Sequence, residues 1–314
     1  MSEPVPLITR LPREEEDAWL KALRAHLPGC RLKAFRELGM EERGSARVAI
    51  CADPDPADVA ALPGLVWVQS LWAGVDRLLA ELPAEGPAIV RMRDPEMAGS
   101  MAEAALAAAF YLHRQMPAYL AAQGRRQWLP LEQPRASERR VSLLGLGEMG
   151  RAVARALAAT GFDVAGWSRS PKALEGVKTF HGARGLEETL RRSDILILLL
   201  PLTEATRGIL NEAAIRRLPW GAAVVNFGRG PLIDHAALVR GLDEGRLSHA
   251  LLDVFEEEPL PPASPLWGHP GITVWPHVAA VTNVETASRI AAANIRAFLE
   301  RGVVPDPVPR RRGY

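Results

Sequence analysis

The most informative stretch of this sequence lies in mid-chain and reads VSLLGLGEMG, from Val141 to Gly150. An apolar, strand-like run leads into glycines spaced as GxGxxG, and an amphipathic helical pattern follows. In this setting the spacing predicts a dinucleotide-binding turn. Gly145 permits the tight turn, Gly147 lets the backbone approach a pyrophosphate, and Gly150 lets the helix pack closely on the strand. The pyrophosphate is expected at the helix N-terminus, where unpaired N–H groups favour anions.

Strand-like and helix-like runs alternate over nearly the whole chain, which predicts an α/β protein with doubly wound parallel sheets. Because the glycine-rich turn opens in mid-chain, we expect two Rossmann-like domains, one inserted into the other. The nucleotide domain is predicted over residues 99–285, inside a flavodoxin-like substrate domain of residues 1–98 and 286–314. The Ala-rich stretch from Met97 to Ala122 is predicted as one long helix. The last helix, Val284 to Arg301, is expected to return to the N-terminal domain.

Bulk composition is ordinary for a globular protein, with 48% hydrophobic and 24% charged residues and a net charge of +1. This balance gives no indication of nucleic acid or a membrane surface as a partner. The two cysteines, Cys30 and Cys51, form no CxxC motif or His cluster, so no metal site is expected. The N-terminus lacks the apolar core of a signal peptide, and no apolar run could span a bilayer. We therefore expect a cytoplasmic protein.

The strand after the glycine-rich turn indicates which dinucleotide is bound. NAD enzymes usually place an aspartate or glutamate at the end of this strand, on the ribose hydroxyls. Here the strand ends in Gly166-Trp167-Ser168-Arg169-Ser170, with Lys172 just beyond, and Asp163 lies at the opposite end. A guanidinium can fork onto a ribose 2′-phosphate, which a carboxylate would repel. The pattern predicts NADP, with NAD as a weaker option; alternatively, Arg169 and Lys172 are solvated surface charges.

Two strand ends and one loop carry the candidate reacting groups. Arg229 follows an apolar strand, between Gly228 and Gly230, which are expected to let the backbone approach a ligand. An arginine at such a strand end suits bidentate capture of a carboxylate. His277 follows another strand, and a loop between them holds three adjacent glutamates, residues 256–258, among which spacing selects none. Taken alone, Arg229 could be a surface arginine, the glutamates a solvated loop and His277 a structural residue, so the prediction depends on their joint order and context.

The sequence resembles the D-isomer-specific 2-hydroxyacid dehydrogenases over almost its whole length, best from Val141 to Ala293. The motifs that carry the resemblance are the GxGxxG turn, Leu200-Pro201 with Thr203 and Thr206, Asn226-x-x-Arg229-Gly230, Asp253-Val254-Phe255-x-x-Glu258-Pro259-Leu260, and Pro276-His277. Three segments are similar to the NADP-preferring glyoxylate/hydroxypyruvate reductases of that family: Trp167-Ser168-Arg169-Ser170, Ser264-Pro265-Leu266-Trp267-x-His269-Pro270, and Pro276 to Thr282.

The resemblance implies a role for each matching residue. The family's catalytic glutamate directly precedes the proline, so the resemblance selects Glu258 and places it with Arg229 and His277 in one catalytic group. It also implies that Asp253 faces the nicotinamide carboxamide. The residues expected to contact the cofactor are Gly145, Gly147, Glu148, Met149, Gly150, Ser168, Arg169, Ser170, Lys172, Leu200, Pro201, Thr206, Phe227 and Asp253.

In the N-terminal part, the run Leu71-Trp72-Ala73-Gly74-Val75-Asp76 resembles the family's substrate loop. The resemblance implies that backbone N–H groups around Ala73, Gly74 and Val75 bind the substrate carboxylate. Trp72 stands where the pattern has glycine, so its side chain either narrows the pocket or faces outward. The substrate set is therefore Trp72, Ala73, Gly74, Val75, Arg229 and His277.

The reaction implied is reduction of a small 2-oxo acid, such as glyoxylate or hydroxypyruvate, to the D-2-hydroxy acid with hydride from NADPH. Protonated His277 is the expected general acid, and Glu258 favours its imidazolium form. Two alternatives stay open: another NAD-linked dehydrogenase of the family, and a non-catalytic dinucleotide sensor like the family's transcriptional corepressors. A homodimer is expected, because the Ala-rich helix could supply a dimer face; burial of that helix within one chain is the equal alternative.

Overall fold

The computed structural model describes residues 3–312 and divides into two compact units. Residues up to 96 together with those from 282 form the first unit, and residues 97–281 form the second. The sequence-based limits of the substrate domain, 1–98 with 286–314, and of the nucleotide domain, 99–285, stay a prediction. Residues 1, 2, 313 and 314 of those limits lie outside the described part of the chain.

Five parallel strands form the sheet of the first unit: β1 (Pro4–Thr9), β2 (Arg31–Ala34), β3 (Val48–Ala52), β4 (Trp67–Ser70) and β5 (Ala88–Val90). Their order is β2-β1-β3-β4-β5, which is the flavodoxin-like order. All five residues of β3 are buried, as expected for a parallel strand that is covered on both faces.

Seven parallel strands form the sheet of the second unit: β6 (Arg140–Leu144), β7 (Asp163–Ser168), β8 (Lys178–His181), β9 (Ile195–Leu198), β10 (Ala222–Asn226), β11 (Leu247–Leu252) and β12 (Ile272–Val274). Their order, β12-β11-β10-β9-β6-β7-β8, is the doubly wound Rossmann order with one added strand. The predicted fold class is confirmed. The strand order reverses between β6 and β9, and ligands of such sheets bind at the carboxyl ends of the strands there.

The helices of the described residues are α1 (Arg13–His26), α2 (Met40–Ser45), α3 (Pro56–Ala60), α4 (Asp76–Glu81), α5 (Pro95–His113), α6 (Met116–Gly124), α7 (Glu148–Ala159), α8 (Gly182–Arg192), α9 (Glu212–Ile215), α10 (His235–Asp243) and α11 (Val284–Arg301). α11 packs against α1, and Phe298 meets Trp67 of β4 with ring centroids 5.5 Å apart. The predicted return of the last helix to the N-terminal sheet is therefore confirmed. None of these helices is long and apolar enough to cross a membrane.

The prediction of a single helix from Met97 to Ala122 is wrong. The structure has two helices, α5 and α6, and Gln115 between them adopts a left-handed conformation with φ of +56°. Pro117 explains the break, because its ring lacks an N–H group and collides with the carbonyl of the preceding turn. Strand β2 was not predicted from the sequence, because its four residues are too few to show an alternation of apolar and polar side chains.

Candidate active site

The glycine-rich turn connects β6 to α7, and each of its glycines has a different structural role. Gly145 has φ of +113°, and a Cβ there would lie 2.7 Å from the Leu199 carbonyl oxygen. A Cβ on Gly150 would lie 1.9 Å from the Gly145 oxygen. The Cβ direction of Gly147, the N-cap of α7, meets nothing within 4 Å, and this residue makes no side-chain cap. This open helix N-terminus fits a dinucleotide pyrophosphate.

The predicted phosphate loop continues into the first turn of α7. Glu148 begins the helix and is exposed, whereas Met149 is half-buried against the core of the second unit. The structure therefore places Glu148 at the N-terminal end of the helix. Met149, which the sequence predicts as a cofactor contact, also packs against the core.

The loop after β7 presents cations at the carboxyl end of the strand. The Ser168 hydroxyl donates to the Ser170 carbonyl at 2.8 Å, and Ser168 is buried. Arg169, Ser170 and Lys172 are exposed. The Lys172 carbonyl accepts a hydrogen bond of 2.8 Å from Thr179 Oγ1 on β8. The loop is therefore anchored to both strands, with its two basic side chains outward, as a 2′-phosphate site requires.

Hydrogen bonds that involve two threonines hold the loop after β9 in one conformation. Thr206 Oγ1 donates to the Pro201 carbonyl at 2.7 Å and accepts a hydrogen bond of 2.8 Å from the Thr203 N–H. Leu200 is buried in the core. Thr206 thus holds the shape of the segment that begins with Leu200 and Pro201, beside the point where the strand order reverses.

An asparagine organises the turn that carries Arg229. Asn226, the last residue of β10, donates from Nδ2 to the Arg229 carbonyl at 2.9 Å and accepts from the Gly228 N–H at 3.1 Å. Arg229 Nη1 donates to the Gly228 carbonyl at 2.7 Å, which orients the guanidinium. Phe227 is buried and stacks on Trp275, with centroids 5.7 Å apart. Sequence reasoning assigned no role to Asn226, although an asparagine at a strand end before glycine is a typical turn signal.

The glycines beside Arg229 allow close backbone packing, and the expectation that they let the backbone approach a ligand stays a prediction. A Cβ on Gly230 would lie 2.0 Å from the carbonyl carbon of Phe255 and 2.4 Å from the Glu256 nitrogen. A Cβ on Gly228 would lie 2.7 Å from the Leu200 oxygen. The absence of a side chain at Gly230 lets the Arg229 turn lie directly against the loop that carries the glutamates, and its absence at Gly228 lets the turn lie against Leu200.

Of the three adjacent glutamates, Glu258 is the one that the structure pairs with His277. Its Oε2 accepts from His277 Nδ1 at 2.7 Å, and its Oε1 accepts from the Phe255 N–H at 2.8 Å. His277 has φ of +55°, an uncommon conformation for a residue with a side chain. Because Glu258 occupies Nδ1, the other ring nitrogen, Nε2, is the one available for a proton exchange, and the catalytic role of His277 stays a prediction.

The electrostatics of the pair favour a charged imidazolium. The hydrogen bond to Glu258 raises the pKa of His277 above its ordinary value, against the opposing effects of burial and of Arg229. Burial alone would raise the pKa of Glu258, but hydrogen bonds from His277 and the Phe255 N–H, with the positive charges of His277 and Arg229, hold it below its ordinary value. Arg229 therefore acts electrostatically on both members of the pair.

Asp253 holds the backbone that follows His277. Its side chain is buried, and its carboxylate accepts hydrogen bonds from the N–H groups of Val278 at 2.7 Å and Ala279 at 3.2 Å. Burial raises the pKa of Asp253, and those two N–H groups oppose the rise. The carboxylate therefore fixes the turn that presents His277. Its predicted contact with the nicotinamide carboxamide stays a prediction.

The predicted substrate loop lies in the first unit, between β4 and α4. The Trp72 ring packs edge-on against Trp19 of α1, with centroids 6.0 Å apart. The Trp72 N–H donates to Ser70 Oγ at 3.0 Å, and its carbonyl accepts from the Met92 N–H at 3.0 Å. The side chain therefore packs inward on α1, and the alternative in which it faces outward is wrong. The other members of the predicted loop are Ala73, Gly74 and Val75, whose role stays a prediction.

Within residues 3–312, no group of three or more His, Cys, Asp or Glu side chains is arranged to hold a metal ion. The candidate reacting groups that the structure brings together are Arg229 and the His277–Glu258 pair. Together with the glycine-rich turn and the doubly wound sheet, these groups define a nicotinamide-dinucleotide-dependent oxidoreductase.

Comparison with known proteins gives the family. Residues 106–279 match the family described as D-isomer specific 2-hydroxyacid dehydrogenase, NAD binding domain. The chain therefore belongs to the D-isomer-specific 2-hydroxyacid dehydrogenases, which confirms the resemblance identified from its motifs.

Solved structures extend the similarity over the whole chain. A D-isomer specific 2-hydroxyacid dehydrogenase from Xanthobacter autotrophicus Py2, in complex with NADPH and MES, is 39% identical with a TM-score of 0.92, and 100% of each chain is covered. An NADPH-dependent glyoxylate/hydroxypyruvate reductase from Sinorhizobium meliloti, with NADP and sulfate, is 35% identical (TM-score 0.89, 100% of each chain). A probable 2-hydroxyacid dehydrogenase from Rhizobium etli CFN 42, with NADP, HEPES and L(+)-tartaric acid, is 33% identical (TM-score 0.89, 100% of each chain).

Proposed function

We propose that this 2-hydroxyacid dehydrogenase reduces a small 2-oxo acid of the glyoxylate or hydroxypyruvate type to the D-2-hydroxy acid, with NADPH as the preferred cofactor. The observation that carries the proposal is the His277–Glu258 pair beside Arg229, together with Arg169 and Lys172 at the end of β7. The relative from Sinorhizobium meliloti is a reductase of this kind, and the three solved relatives were obtained with NADPH or NADP.

The cofactor fits the open end of α7. Gly147 leaves room for the pyrophosphate at the helix N-terminus, and Arg169 with Lys172 would hold the ribose 2′-phosphate. When bound, the dinucleotide supplies or accepts the hydride. A further part of this proposal is that Asp253 orients the nicotinamide carboxamide while it anchors the turn after His277.

Residues of the chain then stabilise the developing negative charge and transfer the proton. Arg229 binds the substrate carboxylate and stabilises the negative charge that develops on the carbonyl oxygen. His277 donates its Nε2 proton to that oxygen as a general acid, and in the oxidation direction the neutral imidazole takes the proton back. Glu258 holds the Nδ1–H tautomer and stabilises the imidazolium.

A substrate panel tests the proposed reaction. NADPH consumption is measured with glyoxylate, hydroxypyruvate, pyruvate and phenylpyruvate, and NADH is run in parallel. We expect the highest kcat/KM with glyoxylate or hydroxypyruvate and NADPH. A preference for NADH would reject the cofactor proposal, and a preference for phenylpyruvate would reject the substrate class. Binding of NADP⁺ without turnover on any acid would instead favour a dinucleotide sensor.

The substitution Glu258→Gln should move the pH profile. Glu258 raises the pKa of His277, so its removal should lower that pKa. Reduction needs protonated His277, and its rate therefore falls as pH rises through the pKa of His277. In the variant this fall should come at lower pH, and the rise of the oxidation rate should also begin at lower pH. The measurement is kcat/KM against pH in both directions.

The neighbouring exposed glutamate offers a matched control for that profile. Glu257→Gln removes the same charge one residue away and should leave both profiles unchanged. A profile of Glu258→Gln that coincides with that of Glu257→Gln would mean that Glu258 does not set the protonation of His277.

We also propose that the protein is a cytoplasmic homodimer. Cys30 and Cys51 form no disulfide in the described structure, which agrees with a reducing compartment. Exposed apolar side chains on α5 and α6, among them Phe110, Met116 and Leu120, favour a protein partner for these two helices.

A further inference from the structure

One histidine at the edge of the nucleotide-binding sheet has no role in the chemistry described above. His181 is the last residue of β8, which is the edge strand, and its side chain is exposed. In the parallel pairing of β7 with β8, His181 lies opposite Ser168. The carboxyl ends of the two strands therefore lie side by side, and His181 borders the loop that carries Arg169.

The alternation of side chains places His181 on one defined face of the sheet. Phe180, its neighbour on β8, packs into the same core cluster as Trp167. Because successive side chains of a strand point to opposite faces, His181 and Ser168 share the other face. Gly166 belongs to that face too, and a Cβ there would meet the Leu146 side chain at 2.4 Å. Since Leu146 lies in the glycine-rich turn, His181 lies on the face of the sheet that carries the phosphate-binding turn.

Two hydrogen bonds hold β8 against β7 and against the loop that follows β7. The Trp167 indole Nε1 donates to the carbonyl of Gly182, the residue after His181, at 2.9 Å. On the same strand, Thr179 Oγ1 donates to the Lys172 carbonyl at 2.8 Å. The backbone of His181 is extended, with φ of −149°, so the alternation continues to the strand's last residue. His181 and the basic loop therefore keep a fixed relative position.

We propose that His181 is a further contact to the ribose 2′-phosphate and thereby strengthens the preference for NADPH over NADH. This inference rests on the proposed use of NADPH. Neighbouring strands lie about 4.8 Å apart, so an imidazole beside Ser168 can reach a phosphate that is held by Arg169. A ring N–H donates to a phosphate oxygen. His181 thus complements Arg169 from the neighbouring strand.

The experiment compares ligands that differ only in the 2′-phosphate. Dissociation constants of adenosine 2′,5′-bisphosphate and 5′-AMP, and of NADP⁺ and NAD⁺, are measured by calorimetry on the wild-type chain and on His181→Ala. We expect about tenfold weaker binding of the two 2′-phosphorylated ligands, as for the loss of one charge-assisted hydrogen bond. Binding of 5′-AMP and NAD⁺ should change by less than about twofold, because neither presents a 2′-phosphate.

Lys178 provides a matched control on the same strand. It is also an exposed basic residue of β8, but it lies at the opposite end and pairs with Asp163 at 3.4 Å. Lys178→Ala should leave all four dissociation constants within about twofold of the wild-type values, since it removes a charge far from the proposed contact. If Lys178→Ala reproduced the loss of His181→Ala, the effect would be general electrostatics and the inference would be overturned.

A third variant separates this inference from the proposed function. Arg169→Ala should weaken the two 2′-phosphorylated ligands and spare the other two. If the Arg169→Ala variant loses the preference for 2′-phosphorylated ligands while the His181→Ala variant keeps that preference, the role of His181 is rejected and the NADPH site stands. If the wild-type chain itself binds NADP⁺ no better than NAD⁺, the proposed use of NADPH fails. Equal weakening of both ligand classes by His181→Ala also rejects the inference.

Discussion

The substitution His277→Ala is expected to lower kcat by about 10²–10⁴-fold, the usual contribution of a positioned general acid. The variant keeps Arg229, so binding of the 2-oxo acid should be largely retained. It also keeps the glycine-rich turn and the loop after β7, so the dissociation constant for NADP⁺ should not change. The measurement is steady-state kcat with the best acid of the panel, beside calorimetric binding of NADP⁺.

The structure supplies an internal check on that expectation. His277 is 52% exposed in its side chain, so its truncation leaves little empty space, and the melting temperature should stay close to that of the wild-type chain. A loss of kcat with unchanged NADP⁺ binding and melting temperature would assign the loss to proton transfer. A variant with wild-type kcat would remove His277 from the mechanism.

Much of the fold follows from local patterns in the sequence. The GxGxxG turn between an apolar strand and an amphipathic helix predicted the strand–turn–helix at Gly145, and its mid-chain position predicted two sheets. Those signals are reliable because a parallel strand covered on both faces must be continuously apolar, as Ile195–Leu198 is. The break at Gln115 was missed because composition favoured helix on both sides, and a single proline outweighed that preference.

The arrangement of the site depends on contacts that sequence spacing does not reveal. Three adjacent glutamates look alike in the sequence, and only the fold brings Glu258 to His277 Nδ1 while the Phe255 N–H holds its other oxygen. The positive φ of His277 depends on the turn that Asp253 anchors from another strand end. Such long-range hydrogen bonds leave no period or motif in the residues that make them. The family resemblance selected Glu258 as the catalytic glutamate, which stays a prediction, and the structure shows that this glutamate pairs with His277.

The substitution Gly230→Ala should damage stability and activity together. A Cβ at this position would lie 2.0 Å from the Phe255 carbonyl carbon, which is backbone and cannot rotate away. Relief requires the Arg229 turn and the glutamate loop to separate, and we expect a loss of about 3 kcal/mol in the free energy of unfolding. Misplacement of about 1 Å between Arg229 and Glu258 should also lower kcat/KM by about 10²-fold. Denaturant unfolding and steady-state kinetics measure the two effects.

Gly268→Ala is the matched control, because a Cβ on Gly268 meets nothing within 4 Å and the residue is exposed. It adds the same methyl group to a neighbouring loop of the same sheet and should change neither stability nor kcat/KM. Wild-type behaviour of Gly230→Ala would show that the two loops can separate without cost. In that case, close backbone packing at Gly230 would not be what positions Arg229 beside the His277–Glu258 pair, and the alignment of the three groups would have to come from their side-chain contacts alone.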